Sequence, residues 1–142
     1  MTYRIIYASN ATSPLQTDDL EELLDQAMRR NAAQDITGAL VYSEGMFLQI
    51  LEGDRQVLED LMNQIRRDLR HERVTVLQEG EVPGRTFGQW AMAYVSATPQ
   101  QVARWAGLSA VMGTAEGSGD DTDETERTAQ FAKDILALLP AR

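Results

Sequence analysis

Hydrophobic positions in this chain follow two periods, and the switches between them mark out the elements. Residues 3–9, YRIIYAS, place Tyr3, Ile5, Tyr7 and Ser9 on one side and Ile6 and Ala8 on the other, which predicts a strand with apolar groups on both faces. After a polar turn containing Pro14, the period changes to that of a helix. Thr17 or Asp18 is placed to cap it, Asp18 and Glu21 have capping-box spacing, and the first turn is acidic. Leu20, Leu23, Leu24, Ala27 and Met28 form the apolar stripe, and Asn31 falls on the same stripe near its end. Residues 36–53, ITGALVYSEGMFLQILEG, then read as a β-hairpin turning at Glu44-Gly45. Its second strand has Phe47, Leu48, Ile50 and Leu51 around a single polar residue, Gln49, as in a central strand covered on both sides. A buried carboxamide without partners costs about 1–3 kcal/mol, so Gln49 must meet hydrogen-bonding groups.

The second half continues the alternation. A helix starting at Gly53-Asp54 carries Leu58, Leu61, Met62, Ile65 and Leu69 on one face, with Arg66, Arg67 and Arg70 near its end. Residues 74–77 predict a fourth strand and, after a turn at Pro83-Gly84, residues 87–95 a fifth. In that strand Trp90, Met92 and Tyr94 share one face, and Phe87, Gln89, Ala91 and Ala93 the other. Pro99 opens a short helix over 100–106, and residues 124–139 form a last helix with Phe131, Ile135 and Leu138 on its apolar side. The order βαββαββ followed by two helices predicts a ferredoxin-like α+β fold: a mixed five-stranded sheet, two helices on one face and the two C-terminal helices covering the other. The first and third strands are then central neighbours, which brings Tyr7 and Gln49 together beneath the gap between the main helices.

Composition narrows the function. The 142 residues, 43% hydrophobic, suit one globular domain, here expected as a main body over 1–96 and a helical extension over 97–142. No apolar run reaches the length of a membrane span and the N-terminus does not read as a signal peptide, so a cytoplasmic location is expected. With no cysteine and with His71 as the single histidine, thiolate chemistry, Cys-ligated metals, multi-histidine metal sites and a serine triad lose their usual residues. The net charge of -9 argues against nucleic acid. Six of the acids, Glu116, Asp120, Asp121, Asp123, Glu124 and Glu126, lie in one Gly/Ser/Thr-rich loop, so the rest of the chain is close to balanced.

Five pieces of sequence, in order and on matching elements, carry a resemblance. Tyr7-x-Ser9, Arg30-Asn31 followed by Ile36-Thr37-Gly38, Phe47-Leu48-Gln49-x-Leu51-Glu52-Gly53, Asp68-x-Arg70-His71 and Arg85-x-Phe87-x-x-Trp90-x-Met92 together resemble a BLUF domain, a blue-light sensor that uses flavin. The resemblance covers about residues 2 to 96. It implies a flavin, FAD with FMN or riboflavin as alternatives, held between the two main helices. By position, Tyr7 hydrogen-bonds Gln49, Gln49 contacts the flavin, Asn31 holds the pyrimidine edge and Arg30 approaches the other carbonyl. Asp68 and His71 lie toward the ribityl side or ring edge. Trp90 and Met92 take two positions either of which can lie near Gln49. The resemblance further implies a sensor and not an enzyme. Its output would pass to a separate effector protein or to a change in self-association as a homo-oligomer, without nucleic acid or membrane. The alternatives are a cofactor-free protein–protein interaction module on the same fold and an acylphosphatase-like hydrolase. The second lacks a cation after the first strand, where residues 10–14 read NATSP.

Overall fold

The computed structural model describes residues 2–13, 15–98 and 100. The expected helix after Pro99, the acidic loop, the last helix and their cover of the second sheet face lie outside the described residues. Seven elements follow one another: β1 (Thr2–Ala11), α1 (Thr17–Ala33), β2 (Thr37–Ser43), β3 (Met46–Gly53), α2 (Arg55–Arg67), β4 (His71–Val82) and β5 (Ala93–Ser96). They build one mixed sheet in the order β4-β1-β3-β2-β5, with β5 parallel to β2 and all other pairs antiparallel. This is the ferredoxin-like α+β plan with an added strand, and β1 and β3 lie side by side inside it.

The two faces of β1 sort as their alternation requires. Tyr3, Ile5 and Tyr7 join Phe47, Leu51, Leu23, Ala27, Leu58, Leu61, Met62 and Ile65 in the core beneath the two helices. Ile6 joins Ala39, Val41, Leu48, Ile50, Phe87, Ala93 and Val95 on the opposite face. The hairpin turns through two residues of positive φ, Glu44 at 46° and Gly45 at 84°, the twist that joins right-twisted strands over a two-residue loop. Gly38 is required for another reason: a Cβ there would meet the Ile50 carbonyl oxygen at 2.0 Å.

Several local expectations change. The N-cap of α1 is Gln16, not Thr17 or Asp18, and the carboxylate of Asp19 accepts the Gln16 N–H at 3.1 Å. The start of α2 is as expected: Asp54 caps it, accepting from the Val57 N–H at 3.3 Å. Met28 is 43% exposed and Leu69 is 87% exposed. Met28 lies beyond the edge of the buried arc, and Leu69 follows the end of α2, where helical period no longer assigns a face. β4 runs from His71 to Val82, far beyond its apolar centre, because the ladder to β1 extends it. Between Ala8 and Asn10 that ladder shifts register, and Arg73 in the shift has φ 53°, the local kink of a bulge.

The largest correction concerns the fifth strand. Only residues 93–96 pair with β2; Thr86 and Phe87 give their N–H groups to Glu52, and Trp90 N–H closes a turn onto the Phe87 carbonyl at 2.9 Å. Strict alternation therefore fails across 87–92. Met92 enters the core beneath the helices, whereas Trp90 packs against the opposite face.

Candidate functional site

Tyr7 on β1 and Gln49 on β3 are direct cross-strand partners, and both point toward the helices. Burial pushes the Tyr7 phenol well above its ordinary value, so it stays protonated and donates to Gln49 Oε1. That bond fixes the amide: Gln49 Nε2 points the other way and donates to the Met92 sulfur at 3.5 Å. Gln49 is 5% exposed and now has the partners its burial demanded. A carboxamide offers two N–H donors and two acceptor sites, so one of each remains after these contacts.

Tyr7 and Gln49 line a cavity between α1, α2 and the β1/β3 surface, with about 420 Å³ of space when its open mouth to solvent is included. Leu23, Ala27, Leu40 and Ile65 supply apolar walls, and Tyr7 and Gln49 supply polar groups among them. Arg30, Gln26, Asp68, Arg70 and His71 complete the lining. A flat conjugated ring with hydrogen-bonding atoms along one edge suits this division of apolar wall and polar donor set.

The charged lining is held in place by its own contacts. Asp68 accepts from the Arg70 N–H at 2.9 Å and pairs with its guanidinium at 2.6 Å, and these bonds hold the carboxyl down to about 2. Arg70 also donates to Gln26 Oε1 at 3.2 Å, tying the turn after α2 to α1. His71 Nδ1 shares a 3.0 Å hydrogen bond with Ser9 Oγ, and its ring lies 4.8 Å from that of Phe47. Burial lowers its affinity for a proton, so the imidazole is kept neutral.

Asn31 is completely buried in the last turn of α1, and its backbone carbonyl accepts from Gln34 and Ile36. Its side chain lies behind the cavity lining. Nδ2 donates to the Ala91 carbonyl at 2.7 Å, and Oδ1 accepts from Arg30 Nε and Nη2, both at 3.2 Å. Burial lowers the Arg30 pKa, chiefly by desolvation, but a guanidinium this basic keeps its charge. Six of the eight expected residues thus meet at one place: Tyr7, Gln49, Arg30, Asp68 and His71 line the cavity, and Met92 contacts Gln49. Asn31 touches the site through Arg30, and Trp90 packs on the other face. Sequence reasoning had not assigned Gln26 or Arg70 to the site. Gln26 is three residues from Leu23 on α1, and Arg70 is two from Asp68, so spacing was the available signal.

A family model described as BLUF, sensors of blue-light using FAD, matches residues 2–93. The chain belongs to the BLUF family. It is therefore a flavin-based sensor of blue light, and the Tyr7–Gln49 floor and cavity belong to its BLUF region. The chain is 36% identical over 109 residues to the photoactivated adenylate cyclase subunit beta of Euglena gracilis, covering 76% of this chain and 12% of that subunit. It is also 36% identical over 91 residues to subunit alpha from the same organism, covering 63% of this chain and 9% of that one. The cyclase activity in those names belongs to proteins of which this chain spans about an eighth or less.

Solved structures agree on the fold. The photo-activated state of BlsA superposes with a TM-score of 0.74 at 24% identity, covering 100% of this chain and 99% of that one. The dark-state structure of the BLUF protein BlrB gives 0.66 at 24% identity, covering 94% and 97%. No helix among the described residues is long and apolar enough to cross a membrane.

Proposed function

We propose that this BLUF protein senses blue light through the Tyr7–Gln49 pair, with FAD as the flavin. The observation that carries this reading is the Tyr7 to Gln49 hydrogen bond between two residues that line an interhelical cavity. When bound, the flavin supplies a blue-light-absorbing ring whose excited state accepts an electron. Tyr7 is the group placed to give an electron and a proton, and Gln49 is the group placed to relay the change. Because the carboxamide has a donor end and an acceptor end, rotating or rearranging it reverses the direction of the network without moving a charge. Each exchanged bond is worth about 0.5–1.5 kcal/mol net, so two of them bias a two-state neighbour by roughly tenfold. That suffices to signal.

Leu23, Ala27, Leu40 and Ile65 would pack on the ring, with Arg30, Asp68 and His71 along its edge and toward the ribityl side. Asn31 would reach the pyrimidine edge by turning from Ala91, or would act on it through Arg30. Residues 1–96 form the sensor in this reading and 97–142 an extension that relays its state. The output passes to a separate effector or to a homo-oligomer, in keeping with cyclase relatives in which the matched part is a small share of the chain.

A blue-light difference spectrum of the purified protein tests the proposal. A flavin band that shifts to the red on illumination and returns in the dark is expected. Protein that stays colourless after expression with excess flavin would overturn it, and mass analysis of the released cofactor distinguishes FAD from FMN and riboflavin.

A further inference from the structure

Glu52 is a carboxylate with no exposed surface, and it lies on the sheet face turned away from the cavity, alternating with Leu51. Its strand neighbours in register are Arg4 on β1 and Thr37 on β2. Burying an anion is costly unless donors surround it. Here three do: Thr37 Oγ1 at 3.1 Å and Phe87 N–H at 2.8 Å on Oε1, and Thr86 N–H at 2.6 Å on Oε2. Arg85 donates to Thr37 Oγ1 at 3.1 Å and to Asp35 at 3.2 Å. The Thr37 hydroxyl has one hydrogen; since it accepts from Arg85, that hydrogen goes to Glu52, and the chain of bonds has a fixed direction.

What this carboxylate holds is the start of the segment that reaches the photoactive pair. From Phe87 the backbone turns, Gly38 N–H takes the Trp90 carbonyl at 3.0 Å, Asn31 takes that of Ala91, and Met92 receives Gln49. The sheet takes over only at Ala93. Residues 85–92 are therefore positioned by point contacts, and Glu52 supplies two at one end while Gln49 and Asn31 supply two at the other. We propose that Glu52 is a positioning residue of the light switch: by fixing the amides of Thr86 and Phe87 it sets where Met92 meets Gln49, and so the balance between the two orientations of the Gln49 amide.

This inference rests on the flavin reading of the cavity, and the test separates the two. Glu52→Gln keeps the shape but has one acceptor oxygen, so it cannot hold both the Thr86 and the Phe87 amides, and it loses the charge beside Arg4. Arg85→Ala is a milder change at a partly exposed residue, remote from the cavity, and serves where Glu52→Gln fails to fold. Flavin content, light-induced shift, dark recovery rate and methionine-methyl NMR are measured on both variants and the wild type. Each variant that folds should retain flavin and the shift, move the Met92 methyl signal in the dark, and change recovery by about three- to tenfold for Glu52→Gln, the range one to two hydrogen bonds give, and by less in the same direction for Arg85→Ala. Recovery and Met92 signals matching wild type in every folded variant would overturn the role of Glu52 while leaving the flavin reading intact. A wild type with no light response overturns that reading itself, and this inference with it.

Discussion

The phenol of Tyr7 donates to the amide oxygen of Gln49 across the two central strands. Removing either side leaves the other buried and unsatisfied, which costs about 1–3 kcal/mol. Tyr7→Phe and Gln49→Leu should each lower stability by that amount, retain flavin and lose the red-shifted lit state. The double variant should cost less than the sum of the two. Chemical denaturation and a light-minus-dark spectrum check this; a normal shift in either single variant would count against the mechanism.

Met92 offers a sulfur to Gln49 Nε2. Met92→Leu conserves volume, so its stability cost should stay below about 1.5 kcal/mol while the polar contact is lost. Flavin and a spectral shift should persist, with a changed recovery rate. Flash photolysis decides, and unchanged recovery would mean the sulfur only fills space.

Asn31 bridges Arg30 and the Ala91 carbonyl in a fully buried position. Asn31→Ala should leave both without their partner, cost about 1–3 kcal/mol, and reduce flavin occupancy or displace its dark spectrum. Full occupancy with an unchanged spectrum would restrict Asn31 to a structural bridge.

His71 has its pKa lowered from 6.5, first by burial and then by the Arg70 and Arg30 charges, with Asp68 opposing. The unfolded chain therefore takes up a proton first. The stability contributed by the neutral ring is fully present above about 6.5 and is lost as pH falls toward the lower folded value. Thermal midpoints measured between about pH 7.5 and 5.5 should fall in the wild type more steeply than in His71→Gln. Parallel slopes would show that the ring titrates freely.

Gly38→Ala would drive a methyl into the Ile50 carbonyl, whereas a Cβ at Gly80 meets nothing within 4 Å. The first should destabilise by at least about 3 kcal/mol or prevent folding, and the second should stay within about 0.5 kcal/mol. Denaturation midpoints of the two variants test the close approach of β2 to β3.

Much of this was determined by the sequence alone, because strong local periodicity leaves few choices. Two apolar faces on β1 and β3 required central strands, the βαββ order made them neighbours, and alternation then put Tyr7 and Gln49 on one side. The same logic brought Arg30 and Asp68 to the rim of one cavity. Residues 85–92 were decided only by tertiary structure. The alternating pattern of residues 87–95 predicted a strand, but Glu52, from a distant element, captures the Phe87 amide that such a strand would have used. Trp90 and Met92 then part to opposite faces, and the choice between them falls on Met92. The partner of Asn31 and the length of β4 were likewise set by contacts far apart in sequence. Local pattern fixes which face a residue prefers while the backbone stays regular; where a buried side chain bonds the backbone instead, only the assembled fold determines where the next residues point.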